Sequence, residues 1–454
     1  MSTASYVGLS GKTTALDRAI SRAKWKILPF LGLMYVLAYL DRSNIAFAKQ
    51  AFQKATSLGD ATFAFAAGIF FVGYAIFEFP SNLILHRVGA RVWLARIMVT
   101  WGIVAAAMAF TTTDTSFTAV RFLLGVAEAG FFPGVLVYLS FWFPARERGH
   151  VIAMFYLAQP LSFIFGGPAS GLLLDLDGWL GLQGWQLMFI AEGLLASLIG
   201  VVAFFYLTDR PESAAWMPQD ERDALALILG AEYRAKVAIG TVKLRRLFSD
   251  PLVLLFSATY FCIAICGYGI AFYLPSQVSA LLGVKVGFYV GLMSAIPWVC
   301  GFAICTFWPG LAVRLGYRRS FAVISLLAAG FGMIASGYLS PVYALVALCV
   351  AVMGLLGSQP IFWTFPSGYF GGLAAAGGIA MINSIGNLGG FFAPSVKTAV
   401  EQSFGTPVAG LWVIGGGALT AAALVALIPK RAELLQAAPN EPPEFGVNGV
   451  AKGL

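Results

Sequence analysis

The stretch TDRPESAAWMPQDERDALALILGAEYRAKVAIGTVKLRRLFSD, residues 208–250, decides the fold, because it is the one long hydrophilic interruption in an otherwise apolar chain. A transmembrane helix needs roughly 20 mainly apolar residues to cross about 30 Å of hydrocarbon. Upstream of the interruption six such runs fit, near 27–48, 62–85, 92–112, 115–141, 150–172 and 184–207. Six more follow it, near 251–281, 286–312, 320–339, 341–368, 376–402 and 406–429. The expected fold class is therefore an all-α polytopic membrane protein of twelve transmembrane helices, with six-helix bundles over 27–207 and 251–429. Residues 208–250 become a cytoplasmic linker. Within it Pro218, Gln219, Asp220 and Glu221 open an amphipathic helix running to Ala235, whose acidic first turn favours the helix dipole. It reads as a solvated connector without chemistry. Residues 1–26 form a cytoplasmic N-terminal segment, and 430–454, rich in Pro, Gly and Asn, a disordered cytoplasmic tail.

Composition agrees. Of 454 residues, 59% are hydrophobic and 11% charged, and the mean hydropathy is +0.81. A soluble domain carries about 25% charged residues, so an ordinary cytosolic enzyme is excluded. The net charge of +8 would suit a nucleic-acid binder, but the basic residues lie between long apolar runs and no nucleic-acid partner is expected. Their placement reports orientation instead. Of 29 lysines and arginines, 22 fall on the side of the N-terminus and 4 on the opposite side. Cytoplasmic loops hold such an excess, so both termini are expected in the cytoplasm. Arg18, Arg22, Lys24 and Lys26 precede the first run, but Asp41 and Arg42 follow where a signal peptide would have a small-residue cleavage site. That run reads as a retained helix.

The usual catalytic constellations are missing. The two histidines, His86 and His150, sit at short turns, and the five cysteines form no CxxC pair. Neither a metal site nor a disulfide framework is expected. No GxxxxGK phosphate loop occurs, which argues against ATP-driven transport by this chain alone.

Charges inside the membrane carry the functional signal, since each costs several kcal/mol unless it faces a cavity or a partner. Six qualify, all in the first half: Asp41, Arg42, Glu78, Arg121, Glu128 and Glu192. Arg121 and Glu128 are seven residues apart and share one helix stripe; Asp41 and Arg42 point about 100° apart, so one can face a cavity and the other a neighbouring helix. An arginine grips a carboxylate bidentately, and burial disfavours the charged form of a carboxyl group. Together these parts describe proton-coupled anion binding. Structural alternatives stay open at each position: Arg121 with Glu128 as a packing ion pair, Asp41 with Arg42 as an edge pair, and Glu78 and Glu192 as helix-packing groups. Asn383 and Asn387, at i and i+4 beside glycines, are either a packing amide pair or substrate contacts.

Several motifs resemble the anion:cation symporter family of the major facilitator superfamily, the tartrate, phthalate and hydroxyphenylacetate type of organic-acid carrier. The likeness runs over nearly all of residues 25–430. It is carried by Tyr39-Leu40-Asp41-Arg42-Ser43-Asn44, by Gly73-Tyr74 with Phe79-Pro80-Ser81-Asn82, and by His86-Arg87-Val88-Gly89-Ala90-Arg91. Most specific is the segment from Arg121 through Glu128, Gly130 and Pro133-Gly134 to Phe141-Trp142-Phe143-Pro144. Gly184-Trp185-Gln186 with Glu192-Gly193, Phe362-Trp363 with Pro366, and Asn383 through Gly390 are also similar.

The resemblance implies two bundles rocking about a midplane site, and symport (uptake) of a small organic carboxylate such as tartrate, a sugar acid or phthalate, by a monomer that uses protons as coupling ion and no cofactor. By matching positions it makes Asp41 and Glu128 the proton-coupling pair. Arg42, Arg121, Tyr74, Gln159, Ser367, Asn383 and Asn387 become substrate-binding, and His86, Arg87, Gly89 and Arg91 a gating loop. Arg42 is expected to alternate between Asp41 and the substrate, with Arg121 and Glu128 relaying a second proton. Two departures stand out: Val313 occupies the place of a gating aspartate, and Gly167-Pro168-Ala169-Ser170-Gly171 is similar to a motif of antiporters, which leaves an exchanger or exporter as the alternative. A polytopic membrane enzyme or a passive channel is the competing class.

Overall fold

The computed structural model describes residues 3–238, 249–369 and 372–429. The first half consists of α1 (Thr3–Thr56), α2 (Asp60–Val88), α3 (Ala90–Ala107), α4 (Asp114–Glu128), α5 (Phe131–Trp142), α6 (Ala145–Tyr156), α7 (Ala158–Asp175) and α8 (Gly184–Tyr206). After the linker helix α9 (Gln219–Ala238) come α10 (Pro251–Leu282), α11 (Phe288–Leu315), α12 (Arg318–Ala335), α13 (Pro341–Tyr369), α14 (Gly372–Asn387), α15 (Gly389–Phe404) and α16 (Val408–Ala426). Among the described residues the crossings are six and six, with α4–α5, α6–α7 and α14–α15 each making one crossing from two pieces. Eleven spans are long and apolar enough to cross a membrane as single runs. The twelfth is α14–α15, two 16-residue helices that are each too short for about 30 Å at 1.5 Å per residue.

The interruptions have identifiable causes. At Ala129 the backbone turns extended (ψ 131°), and Gly130 takes the left-handed conformation (φ 85°) that a side chain disfavours, so α4 ends on Glu128. Leu157 and Leu388 make tight turns instead, bonding back three residues to Met154 and Ile385.

Within each half, glycines let backbones touch, as helix packing in lipid requires. A Cβ at Gly125 would strike the Phe70 carbonyl, bringing α4 onto α2; Gly102 and Gly193 join α3 to α8 in the same way. In the second half Gly354 meets the Ser325 carbonyl, joining α13 to α12.

The halves meet most closely at the face opposite the linker, here called the distal face. There α7 lies on α11, with Gly171 against Gly287 and Gly167 against Gly291, while Gly68 of α2 packs on Phe391 of α15. Asp175 ends this seam by accepting a hydrogen bond from the Phe288 amide at 2.8 Å.

The linker helix departs from the solvated connector expected. Glu221 is buried, accepting from Arg22 Nε at 2.8 Å, and Asp220 accepts from Arg18 at 2.9 Å. Glu232 accepts from the Ala145 amide at 2.8 Å and pairs with Arg148 at 3.3 Å, so α9 is docked on the first half. Its charges look like a wetted face in sequence because their partners lie far along the chain. The tail, 430–454, falls outside the described residues.

Candidate functional site

Between the halves lies a cavity that opens to solvent. The first half brings Tyr35, Tyr39 and Arg42 from α1, Tyr74 from α2 and Gln159 from the start of α7; the second brings Tyr260 and Tyr268 from α10, Trp298 from α11, Gln359 from α13, and Asn383 and Asn387 from α14. Gln159 follows the Leu157 turn and Asn387 precedes the Leu388 turn, so two of the three discontinuous crossings supply amides to the wall. Such breaks are tolerated at membrane depth where backbone lines a cavity.

Arg42 is the charged member of this lining. Its guanidinium lies 2.6 Å from Glu128 Oε1, and Glu128 has 0% exposure. The rings of Tyr39, Phe70 and Tyr74 stand 5.1 to 5.4 Å from the guanidinium carbon. Arg42 Nε, although buried, has no hydrogen-bond partner. A cation held by one carboxylate, walled by aromatic faces and keeping a spare N–H, is suited to take a second carboxylate.

This pairing differs from the expectation in two respects. Arg42 does not pair with Asp41, which faces away from the cavity and accepts from Asn44 Nδ2 at 3.2 Å. Among the described residues Arg121 makes no ion pair with Glu128 either. Seven residues along a helix are about 10 Å, too far for the two side chains to close directly. Arg121, 1% exposed, instead donates to the backbone oxygens of Ala66 at 3.4 Å and Ala67 at 3.3 Å, and it is not part of the cavity wall.

Ser367 is also away from the wall. It is exposed near the linker end of α13, and its hydroxyl donates to the Trp363 carbonyl at 2.7 Å. Gln359, eight residues earlier and two turns deeper, occupies the lining position on that helix. Tyr74, Gln159, Asn383 and Asn387 do line the cavity, and Tyr268 donates to Asn387 at 3.2 Å. Asn383 and Ser384 donate to Glu78 at 3.4 and 3.2 Å, so this carboxylate ties α2 to α14 across the two halves.

Sequence reading missed most of the tyrosines. Tyr35, Tyr39, Tyr156, Tyr260 and Tyr268 all line the cavity, yet a tyrosine in an apolar helix gives no sign of which way it faces. At the loop expected to gate, Gly89 has φ 98°, and the Arg91 amide donates to Asp209 at 2.8 Å. The Arg91 side chain stays within 3.9 Å of the same carboxylate. His86 and Arg87 close the last turn of α2 beside it. Val313, on the α11 counterpart, is exposed.

A family model described as Major Facilitator Superfamily matches residues 31–394. The inner membrane transport protein RhmT of Escherichia coli is 42% identical over 413 residues, covering 91% of this chain and 96% of that protein. A putative tartrate transporter of Agrobacterium vitis is 43% identical, over 91% of this chain and 95% of that one. The E. coli xylose transporter XylE, solved in a partially occluded inward-open conformation, superposes with a TM-score of 0.72 over 90% of this chain and 98% of its own, at 16% identity, a likeness of fold alone. With two six-crossing halves around a cavity and a family match over most of its length, the chain belongs to the Major Facilitator Superfamily and is a multi-pass integral membrane transporter, not an enzyme.

Proposed function

We propose that the chain is a proton-coupled symporter that takes up a small organic carboxylate such as tartrate, a sugar acid or phthalate by alternating access. The observation that carries this reading is Arg42, which lies in the cavity wall bound to Glu128 and keeps an unpartnered Nε–H. The name of the Agrobacterium vitis relative supports a hydroxy-acid cargo. With both termini in the cytoplasm, the seam at the distal face corresponds to an inward-facing state.

An entering carboxylate competes with Glu128 for the Arg42 guanidinium. As it takes over, Glu128 loses its counter-ion in a dry site, which favours its protonated form. Anion and proton binding then strengthen each other, as linkage requires. The ion pair at 2.6 Å supports giving this exchange to Glu128, with Asp41 as a second proton site beside it. Arg121 is bonded to the α2 backbone and stands outside the cavity wall, a placement that supports positioning more than substrate contact.

Proton number sets the driving force. A monoanion with one proton moves no net charge and gains about 1.4 kcal/mol per pH unit. With two protons it gains about 2.7 kcal/mol per pH unit plus roughly 2.3 kcal/mol per 100 mV, enough for between three and four decades of accumulation.

Proteoliposomes loaded at neutral pH and diluted into acidic buffer containing tartrate test the reading. Accumulation is expected in the wild type and lost in Glu128→Gln. Uptake indifferent both to the pH gradient and to an imposed potential refutes it.

A further inference from the structure

One intramembrane carboxylate, Glu192 on α8, has no part in the mechanism above, yet it is joined to it. Glu192 is 5% exposed. The Asn44 amide nitrogen donates to Asp41 Oδ1 at 3.2 Å and to Glu192 Oε2 at 3.1 Å, so a single NH2 serves two carboxyl groups. Ser170 Oγ donates to the other Glu192 oxygen at 2.7 Å. The second oxygen of Asp41, a residue 3% exposed, has no hydrogen-bond partner.

The charges around this network are unevenly placed. On the α4 side Arg42 pairs with Glu128, and Arg121 donates to the Ala66 and Ala67 carbonyls of α2. Among the described residues neither Asp41 nor Glu192 has an ion-pair partner, and the Asn44 amide joins them. On the far side α3 touches the neighbouring Gly193 through Gly102, and its Arg96 lies 3.8 Å over the Trp93 ring. Two carboxylates on the two hydrogens of one buried amide do not both carry charge without a cation between them. One of the two therefore holds a proton, and Glu192 is the one tied through Ser170 to the distal seam.

Ser170 gives this proton an entry that depends on conformation. It precedes Gly171, whose backbone presses on Gly287 in the distal seam. When α7 parts from α11, water reaches the α7 surface beside Ser170; in the sealed state the acid is dry.

We propose that Glu192 is a transported-proton site, paired with Asp41 through Asn44 and loaded from the distal face whenever the α7–α11 seam opens. The proposal rests on the symport reading above. Loading forms an O–H bond on Glu192 with a proton from distal water; unloading breaks it toward Asp41 and the cavity, and no electrons move.

The test uses the full-length protein in lipid, as wild type, Glu192→Gln and Glu192→Asp. Gln keeps the length, accepts from Asn44 through its oxygen and donates to Ser170 through its NH2, but holds no titratable proton; Asp keeps the acid and shortens the side chain. Infrared spectra across pH read the carbonyl stretch of neutral carboxyl groups without any substrate. A pH-dependent neutral-carboxyl band is expected in the wild type, lost in the Gln variant and kept in the Asp variant. In proteoliposomes, protons entering per tartrate should fall by one with Gln and not with Asp. A purely structural Glu192 gives the reverse order, with Gln near wild type and Asp impaired, and that result overturns the proposal. So does an infrared band untouched by Gln. Ser170→Ala keeps the question decidable should the Gln variant not fold: it must shift the midpoint of the band, and no shift refutes the assignment. Wild type that moves tartrate without protons defeats the symport reading instead, and the infrared arm still decides whether Glu192 is a proton site.

Discussion

Replacing Gly171 by alanine should open the distal seam without unfolding either half. A Cβ at Gly171 would collide with the Gly287 carbonyl oxygen, and would lie 2.6 Å from its carbon and 2.8 Å from Phe288 Cα. All three atoms are backbone, so no side-chain rotation relieves the overlap. Overpacking of this kind costs typically about 1–3 kcal/mol. The cost falls on the sealed state alone, because an alanine on α7 that has parted from α11 meets nothing there. The ratio of open to sealed molecules should therefore rise roughly 5- to 150-fold. Ser294 on α11, one turn from Gly291 and 3% exposed, is a reporter within the seam. With the five free cysteines replaced and Ser294→Cys introduced, the labelling rate by a membrane-impermeant maleimide measures the open fraction. Gly171→Ala should raise that rate by the same factor. Gly416→Ala, whose Cβ would meet nothing within 4 Å, should leave it alone. An unchanged rate in a folded Gly171→Ala protein would refute the claim that these glycines hold the halves together.

Three further outcomes are expected. Arg42→Lys keeps the charge but loses the planar fork, and with one charge-assisted hydrogen bond of about 1.5–3 kcal/mol lost, the KM for tartrate should rise roughly 10- to 150-fold; a KM within twofold of wild type sinks the anion-grip role. Glu78→Ala removes the acceptor shared by Asn383 and Ser384 across the two halves, and labelling of the Ser294 cysteine should rise about tenfold or more, whereas an unchanged rate means the contact is incidental. Glu221→Ala frees Arg22, itself half exposed and therefore screened, so α9 should loosen by about 1 kcal/mol. Amide exchange over α9 should then be roughly fivefold faster, and equal exchange would show that other contacts dock the helix.

Much of the architecture is local and was therefore readable from composition. Apolar runs of sufficient length, divided by 208–250, define the crossings, because the cost of burying polar groups in hydrocarbon acts on each segment by itself. The same cost made the six intramembrane charges conspicuous and singled out Arg42 and Glu128 before any contact was known. Spacing also placed Asp41 and Arg42 on different sides of α1, and Arg42 alone of the two reaches the cavity.

Partnership was not local. Arg42 meets Glu128 because α4 stops at Gly130 and α1 passes that break, and Arg121 turns to the α2 backbone because two helical turns separate it from Glu128. The docking of α9 through Glu221 and Glu232, the ring of tyrosines, and the Asp41–Asn44–Glu192–Ser170 network likewise join elements distant in the chain. Sequence by itself determined which residues lie in the membrane and which of them carry charge, since each helix must satisfy the bilayer alone. Which charge answers which, and which proton site lies beside the seam, only the packing of one helix against another decided, because a side chain's partner depends on the position of a second backbone that no local pattern encodes.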